Sequence, residues 1–269
     1  MRIFIFGSAG MLGNYLSLHL SSYYSIINVT RNQIDASKAN TTDICNYIKT
    51  TGFEKDDIII NAVGTIKPRV DELGDLNAIL VNSAFPHFLA KAADMLNLKL
   101  IHITTDCVFA GNSGSYSESD KHDISDVYGR TKSLGEPKNC TVIRTSIIGE
   151  EKNTKRSLVE WIKSNKGKTI TGYTNHYWNG LTCLQVSKTI HSIITSNSFW
   201  TGVRHIHSPS TLSKYELLVL VSDIYKLEIT VEPKETEHKC DRSLSTLYPT
   251  FNVPELKFQI TEMMQFKIN

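Results

Sequence analysis

Short unbroken apolar runs alternate along this chain with stretches in which apolar residues recur every three or four positions. The runs Arg2–Phe6, Ser25–Thr30, Asp57–Val63, Leu98–Thr104 and Thr141–Arg144 have the length of strands. Asp57–Val63 is apolar almost throughout, as a strand covered on both faces of a parallel sheet must be. Between the runs, Leu12, Leu16 and Leu20 repeat on one face of a predicted helix over Met11–Leu20. Phe85, Phe88, Leu89, Ala92 and Leu96 do the same further on. Strand and helix in regular alternation predict an α/β fold with a doubly wound parallel sheet and right-handed crossovers.

The texture changes after Gly149. "GEEKNTKRS" is polar and charged, and "TGYTNHYWNGLTC" is rich in aromatics, Asn and Gly, as suits a loop beside a site. Helices are predicted from Leu158–Ile162 onward, over Val186–Ile194, and over Ser213–Leu227 with Ser213 as the cap. Pro233, Pro249 and Pro254 predict a tail of short elements. The expected organisation is a first unit over residues 1–150, completed by about 180–200, and a smaller C-terminal α/β lobe over 151–269.

Bulk properties narrow the function classes. The 269 residues are 41% hydrophobic, enough for a full core. A formal charge of +2 asks for neither nucleic acid nor anionic lipid. No apolar run reaches the length of a membrane span, and "RIFIF" at the start is a strand pattern rather than a cleavable leader. Cys45, Cys107, Cys140, Cys183 and Cys240 are odd in number and scattered, which fits free thiols and a cytoplasmic setting. No metal site is expected. His205 and His207 alternate in "RHIHS" and share a face without need of one, and His102 reads as a core histidine.

"FGSAGMLG" sets Gly7, Gly10 and Gly13, with Met11 and Leu12 between them, after the first strand and at the mouth of a helix. Glycine there permits a tight turn, close approach of backbone to a pyrophosphate, and packing of helix on sheet. This predicts a Rossmann-type dinucleotide site. Ala62 and Gly64 in "NAVG" fall beside it. An NAD site places an acid after the second strand. Here the strand ends in Thr30-Arg31, which favours the 2′-phosphate of NADPH over NADH, with Asp35 near the adenine.

"YGRTKSLGE" holds Tyr128 and Lys132 at i, i+4, so they share one helix face. An ammonium there is expected to lower the tyrosine pKa and suit it to acid–base work. With "GSAGMLG", "NAVG", "VNSAFPHFLAKAA", "HITTDCVFAG" and "VIRTSIIG" in order, the chain resembles the extended short-chain dehydrogenase/reductases that act on nucleotide sugars. It is most similar to the dTDP-4-dehydrorhamnose reductases. The resemblance implies that Thr105 hydrogen-bonds a keto oxygen, Tyr128 donates the proton, and Lys132 tunes Tyr128 and holds the nicotinamide ribose. Asn82 supports the substrate side. It leaves a homodimer open.

Several reactions share that scaffold. The family's 4,6-dehydratases carry Glu after Thr-Asp; here the turn is Thr105-Asp106-Cys107, which weighs against dehydration. Reduction of a 4-keto-6-deoxy sugar uses the residues present. The related GDP-fucose synthases have a cysteine two residues past their hydroxyl and pair it with a histidine to epimerise beside the ketone. Thr105 and Cys107 have that spacing, and His176 is the histidine available. That reading makes the enzyme a 3-epimerase and 4-reductase, with a UDP-linked N-acetylated 6-deoxy-L-sugar, as in UDP-N-acetyl-L-rhamnosamine synthesis, as one product class. A buried, inert Cys107 gives a plain reductase. Trp178 and Asn179 are expected to line the sugar site, and Arg242 to meet the diphosphate. A different class, a non-catalytic nucleotide-binding regulatory subunit, fits less well because the Tyr128–Lys132 pair is intact.

Overall fold

The computed structural model describes residues 1–152 and 155–268. Residues 153 and 154, in the polar stretch after Gly149, and 269, the end of the expected lobe, lie outside them. β1 (Arg2–Phe6) leads to α1 (Met11–Leu20), β2 (Ser25–Val29) to α2 (Thr41–Thr51), and β3 (Ile58–Asn61) to the short α3 (Lys67–Leu73) and α4 (Asp75–Ala78). A π-helical turn, Ile79–Ala84, opens α5 (Phe85–Leu96). β4 (Lys99–Thr105), α6 (Val127–Leu134), β5 (Thr141–Thr145) and the short β6 (Ile147–Ile148) follow. Then come α7 (Leu158–Ser164), β7 (Thr169–Tyr173), β8 (His176–Trp178), β9 (Leu181–Thr182), α8 (Cys183–Thr195) and β10 (Gly202–His205). β11 (Leu212–Ser213), α9 (Lys214–Tyr225), β12 (Thr230–Lys234), β13 (Cys240–Asp241) and α10 (Leu256–Gln265) complete the order.

Six strands form one parallel sheet in the order β10-β5-β4-β3-β1-β2. Alternation along β1 sends Ile3 and Ile5 into a layer with α1 and α8, and Phe4 and Phe6 into one with α2 and α5. The chain runs outward from β1 to β2, then returns to β3 on the other side. The carboxyl ends of β1 and β3 therefore flank a switch point, where open α/β sheets bind ligands.

Three smaller sheets, β11-β8-β13, β12-β7 and β6-β9, lie in the later half. The large sheet takes its sixth strand from Gly202–His205, and Leu217 and Ile260 share a core cluster with Ile3. One core thus runs across the sequence boundary at residue 150. The tail departs from expectation: α10 is a ten-residue helix, and Leu256, Ile260 and Met263 anchor it. Its prolines precede the helix instead of interrupting it. Ser213 does cap α9, in a capping box with Glu216. β10 stops at His205, so the alternation expected to carry His207 onto the same face does not continue.

Candidate active site

The ends of β1 and β3 open onto a cleft of about 660 Å³. Gly7, Gly10, Met11, Leu12, Arg31, Asp35, Ala62 and Gly64 line it. Gly7 has φ +82°, and a Cβ there would stand 2.9 Å from the Ala62 carbonyl carbon. Gly13 lies behind the wall, where a Cβ would fall 2.1 Å from Gly7 O. α1 starts at Gly10 with no side-chain cap and no acid in its first turn, so its free N–H groups face the cleft unopposed. These features fit a dinucleotide pyrophosphate. At the far end Arg31 pairs with Asp35 at 3.3 Å. Asp35 also accepts the Ser37 N–H and O–H at 3.0 and 2.7 Å. Burial pushes its carboxyl up, but the Ser37 bonds and Arg31 outweigh this and hold it below its usual range.

Thr105, Asp106, Cys107, Tyr128 and Lys132 share the same cleft. β4 delivers Thr105, and a one-turn 3-10 helix, Asp106–Val108, follows it. The Thr105 hydroxyl accepts the Cys107 N–H at 3.1 Å and donates to Asp106 Oδ1 at 3.1 Å. Tyr128 and Lys132 come from α6, with Asp126 as its cap. The expected lowering of the tyrosine pKa is not found. Burial, then the neighbouring Cys107, raise the phenol above its ordinary value, against the opposing influence of the Thr105 hydroxyl. Lys132 is buried and donates to Ile103 O at 3.3 Å, and burial lowers its pKa to about 8. The Cys107 thiol is pushed up to about 12 by burial and by Asp106.

The residues expected on the sugar side are placed differently. Asn82 is fully buried in the π-helical turn and clamps Thr65, accepting its N–H at 2.8 Å and donating to its carbonyl at 3.0 Å. Asn179 clamps Leu244 in the same way, at 2.8 Å in each direction. Amide side chains bonded on both ends to backbone are supports, and neither lines the cleft. Trp178 is buried beneath Lys214 Nζ, 5.4 Å from the ring centre. Arg242 donates to the carbonyls of Phe109 and Ala110, at 2.9 and 3.4 Å, so it props the turn that carries Cys107. His176 bonds Thr236 Oγ1 at 2.9 Å and packs on Tyr173. Among the described residues nothing joins it to Cys107. Two cations of the later half act electrostatically on this turn: Arg242 favours the Cys107 thiolate, and Lys214 has its pKa lowered by burial, against Asp106 and Cys107.

Sequence reasoning passed over Lys214 and also Arg144. Arg144, buried in β5, grips Glu136 at 2.6 Å, His205 Nε2 at 2.7 Å and His122 Nε2 at 2.8 Å. Both lie in stretches that read as ordinary helix and strand. Only the fold brings their partners near.

Comparison with known proteins adds kinship. Residues 1–243 match the family model described as the RmlD substrate binding domain. A dTDP-4-dehydrorhamnose reductase of Aggregatibacter actinomycetemcomitans is 27% identical over 241 residues, 82% of this chain and 78% of that enzyme. A dTDP-4-keto-6-deoxy-D-glucose reductase of Streptomyces niveus is 30% identical over 154 residues, 54% of this chain and 52% of the relative. The dTDP-4-dehydrorhamnose reductase of Bacillus anthracis, solved in complex with NADP, superposes with a TM-score of 0.82 at 19% identity, covering 98% of each chain. With nine-tenths of its length matched and the fold shared from end to end, the chain belongs to the RmlD substrate-binding-domain family.

Proposed function

We propose that this protein is an NADPH-dependent reductase of the 4-keto group of a nucleotide-linked 4-keto-6-deoxy-hexose, with NADH as the weaker donor. The observation that carries the reading is the placement of Thr105, Tyr128 and Lys132 in one cleft with the glycine turn of β1. Relatives named as reductases of such sugars support it. Residues 1–150 with the α8–β10 segment would hold the cofactor, and most of 151–269 the sugar nucleotide. Five free cysteines agree with a cytoplasmic enzyme. A homodimer belongs to the same reading.

The bound cofactor supplies a hydride to the carbonyl carbon. Tyr128 gives its proton to the oxygen, and its raised pKa keeps that proton in place until charge builds on the oxygen. Thr105 turns its hydroxyl from Asp106 to the same oxygen. Lys132, as an ammonium, steadies the tyrosinate left behind and the nicotinamide ribose.

Epimerisation at C3 before reduction is the finer reading, with a UDP-linked N-acetylated sugar as one candidate. Plain 4-keto reduction is the alternative. Cys107 lies in the cleft, but its thiol stays protonated, which suits it to give a proton to carbon rather than remove one. The test is NADPH oxidation with a panel of nucleotide 4-keto-6-deoxy sugars, beside Tyr128→Phe. Turnover lost in the variant supports the reading. NADPH binding with no sugar reduced by the wild type would turn it to the regulatory subunit.

A further inference from the structure

We propose that segment 240–247 is a positioning strap for the reduction, with Arg242 as its main grip: it docks on the loop that follows the Thr105-Asp106-Cys107 turn and fixes that turn against the substrate. The proposal rests on the reductase reading for its purpose and on local contacts for its substance.

The turn needs anchors on both sides. Upstream, β4 holds Thr105 in parallel register with Thr145 of β5. Downstream, the chain leaves the sheet as loop 109–118. Val108, Phe109 and Tyr116 belong to neither of the main core clusters. They form a small cluster of their own, and its fourth member is Leu244. Phe109 and Tyr116 stack at 4.3 Å between ring centres, 3° from parallel.

Segment 240–247 lies along that loop. Asp241 N–H donates to Gly111 O at 2.7 Å, Tyr116 N–H to Ser243 O at 2.9 Å and Ser245 N–H to Tyr116 O at 2.8 Å. Ser243 Oγ accepts the Ser115 N–H at 2.8 Å. Thr246 Oγ1 and Leu247 N–H donate to the two oxygens of Glu118, at 2.7 and 2.9 Å. So close an approach requires glycine. Gly111 has φ +95°, and a Cβ there would stand 2.7 Å from Cys240 Sγ. Gly114 has φ +75°, and a Cβ there would stand 2.3 Å from Asp241 Oδ2.

Arg242 makes the grip nearest the turn. Its Nε and Nη2 donate to Phe109 O and Ala110 O, two and three residues past Cys107. Bonds from a charged donor to carbonyls hold main chain. At its other side the strap belongs to the later half. β13 pairs with β8, Asp241 opposite Tyr177, and Asn179 clamps Leu244. The lobe expected to receive the sugar nucleotide thus sets the turn that meets its keto group. Asp123 also accepts the Ala110 N–H at 2.6 Å, and Arg144 lies over the Phe109 ring, so the loop keeps a brace when the strap is loosened. A merely structural strap would add stability without setting the turn.

Amide exchange and turnover separate the two. Arg242→Met removes both bonds to the loop, while Arg242→Lys keeps a charged donor for Phe109 O. Hydrogen exchange is followed without substrate by mass spectrometry of a peptide spanning residues 105–111, with the glycine turn after β1 as control. In Arg242→Met that peptide is expected to exchange about tenfold faster or more, and the control to stay as it is. With NADPH and a keto-sugar nucleotide, kcat should fall about tenfold or more while KM stays within about threefold, because a small displacement of Thr105 is felt at the reacting carbonyl. Arg242→Lys should recover most of both. Gly111→Ala, whose Cβ pushes on the strap, should reproduce the loss with Arg242 in place, and it decides the matter if Arg242→Met does not fold. Unchanged exchange of 105–111 in the folded variant overturns the proposal. So does a raised KM with kcat intact in Arg242→Met, which would make Arg242 a substrate contact. If exchange quickens while the wild type reduces no sugar, the reductase reading fails and the hold of the strap on the turn stands.

Discussion

Asp126 Oδ2 lies 2.9 Å from Lys67 Nζ, while its Oδ1 accepts the Gly129 N–H at 2.8 Å. One carboxylate therefore caps the helix that carries Tyr128 and ties it to α3, beyond the cofactor-side loop. The ion pair is largely exposed and contributes little. The cap contributes about 1 kcal/mol. Asp126→Ala is expected to lower the thermal midpoint by about 2–4 °C, and Asp126→Asn, which still caps, by less. Thermal unfolding of both checks this; equal losses would assign the effect to the Lys67 pair instead.

Arg31 and Asp35 put a cation and a carboxylate at the same end of the cleft. The guanidinium is 63% exposed in its side chain and free to turn to a 2′-phosphate. Asp35, fixed by Ser37, can accept a ribose 2′-hydroxyl. Arg31→Ala is expected to weaken NADPH about tenfold and leave NADH nearly unchanged, the loss of one charge-assisted contact. Fluorescence titration with both cofactors measures it. An equal loss for both would show that Arg31 does not read the 2′-position.

The contrast between Tyr128 and His176 shows how far the sequence is legible. The glycine turn and the Tyr128–Lys132 pair are each set by spacing within a short local segment, and the parallel sheet order brings the two segments to one cleft. His176 depends on how a loop of the later half packs, and the spacing of residues carries no such information. Its neighbour in space, Thr236, is sixty residues away. Asn82 is an intermediate case. Its position beside the site is legible from the "VN" pair, but its clamp on Thr65 depends on a π-helical turn without a pattern of its own. α2 carries a readable signal, Asn40 with Asp43 in a capping box, that β-branched residues obscure.

His205 gives the fold an acid limit. Its Nε2 accepts from Arg144 at 2.7 Å and Nδ1–H donates to Ser245 O at 2.7 Å, so the ring must be neutral. Burial, then Arg144, lower its pKa to about 4, against Glu118. Between about 6.5 and 4 the unfolded chain binds the proton and the folded one does not. Stability from this group is therefore complete above about pH 6.5 and is lost as pH falls toward 4. His205→Gln should start with a lower thermal midpoint and lose less of it over that range. Parallel melting curves at each pH would show that other groups set the acid limit.

Cys107 decides between the two forms of the reductase reading. A thiol that is protonated at neutral pH can return a proton to C3 only after another group has taken one, and Lys214, whose pKa burial lowers against Asp106 and Cys107, is the candidate base from the later half. Reduction of the keto sugar in deuterated water should then leave deuterium at C3 in the wild type. Cys107→Ser, with a far weaker acid in place, should lower that incorporation by about tenfold or more while leaving NADPH oxidation largely intact. Lys214→Met should lower it as well, whereas substitution of His176 should not. Proton NMR of the isolated product reads all four proteins. Equal C3 labelling in wild type and Cys107→Ser, or none in either, would leave Cys107 as a packing residue and the reaction as plain 4-keto reduction.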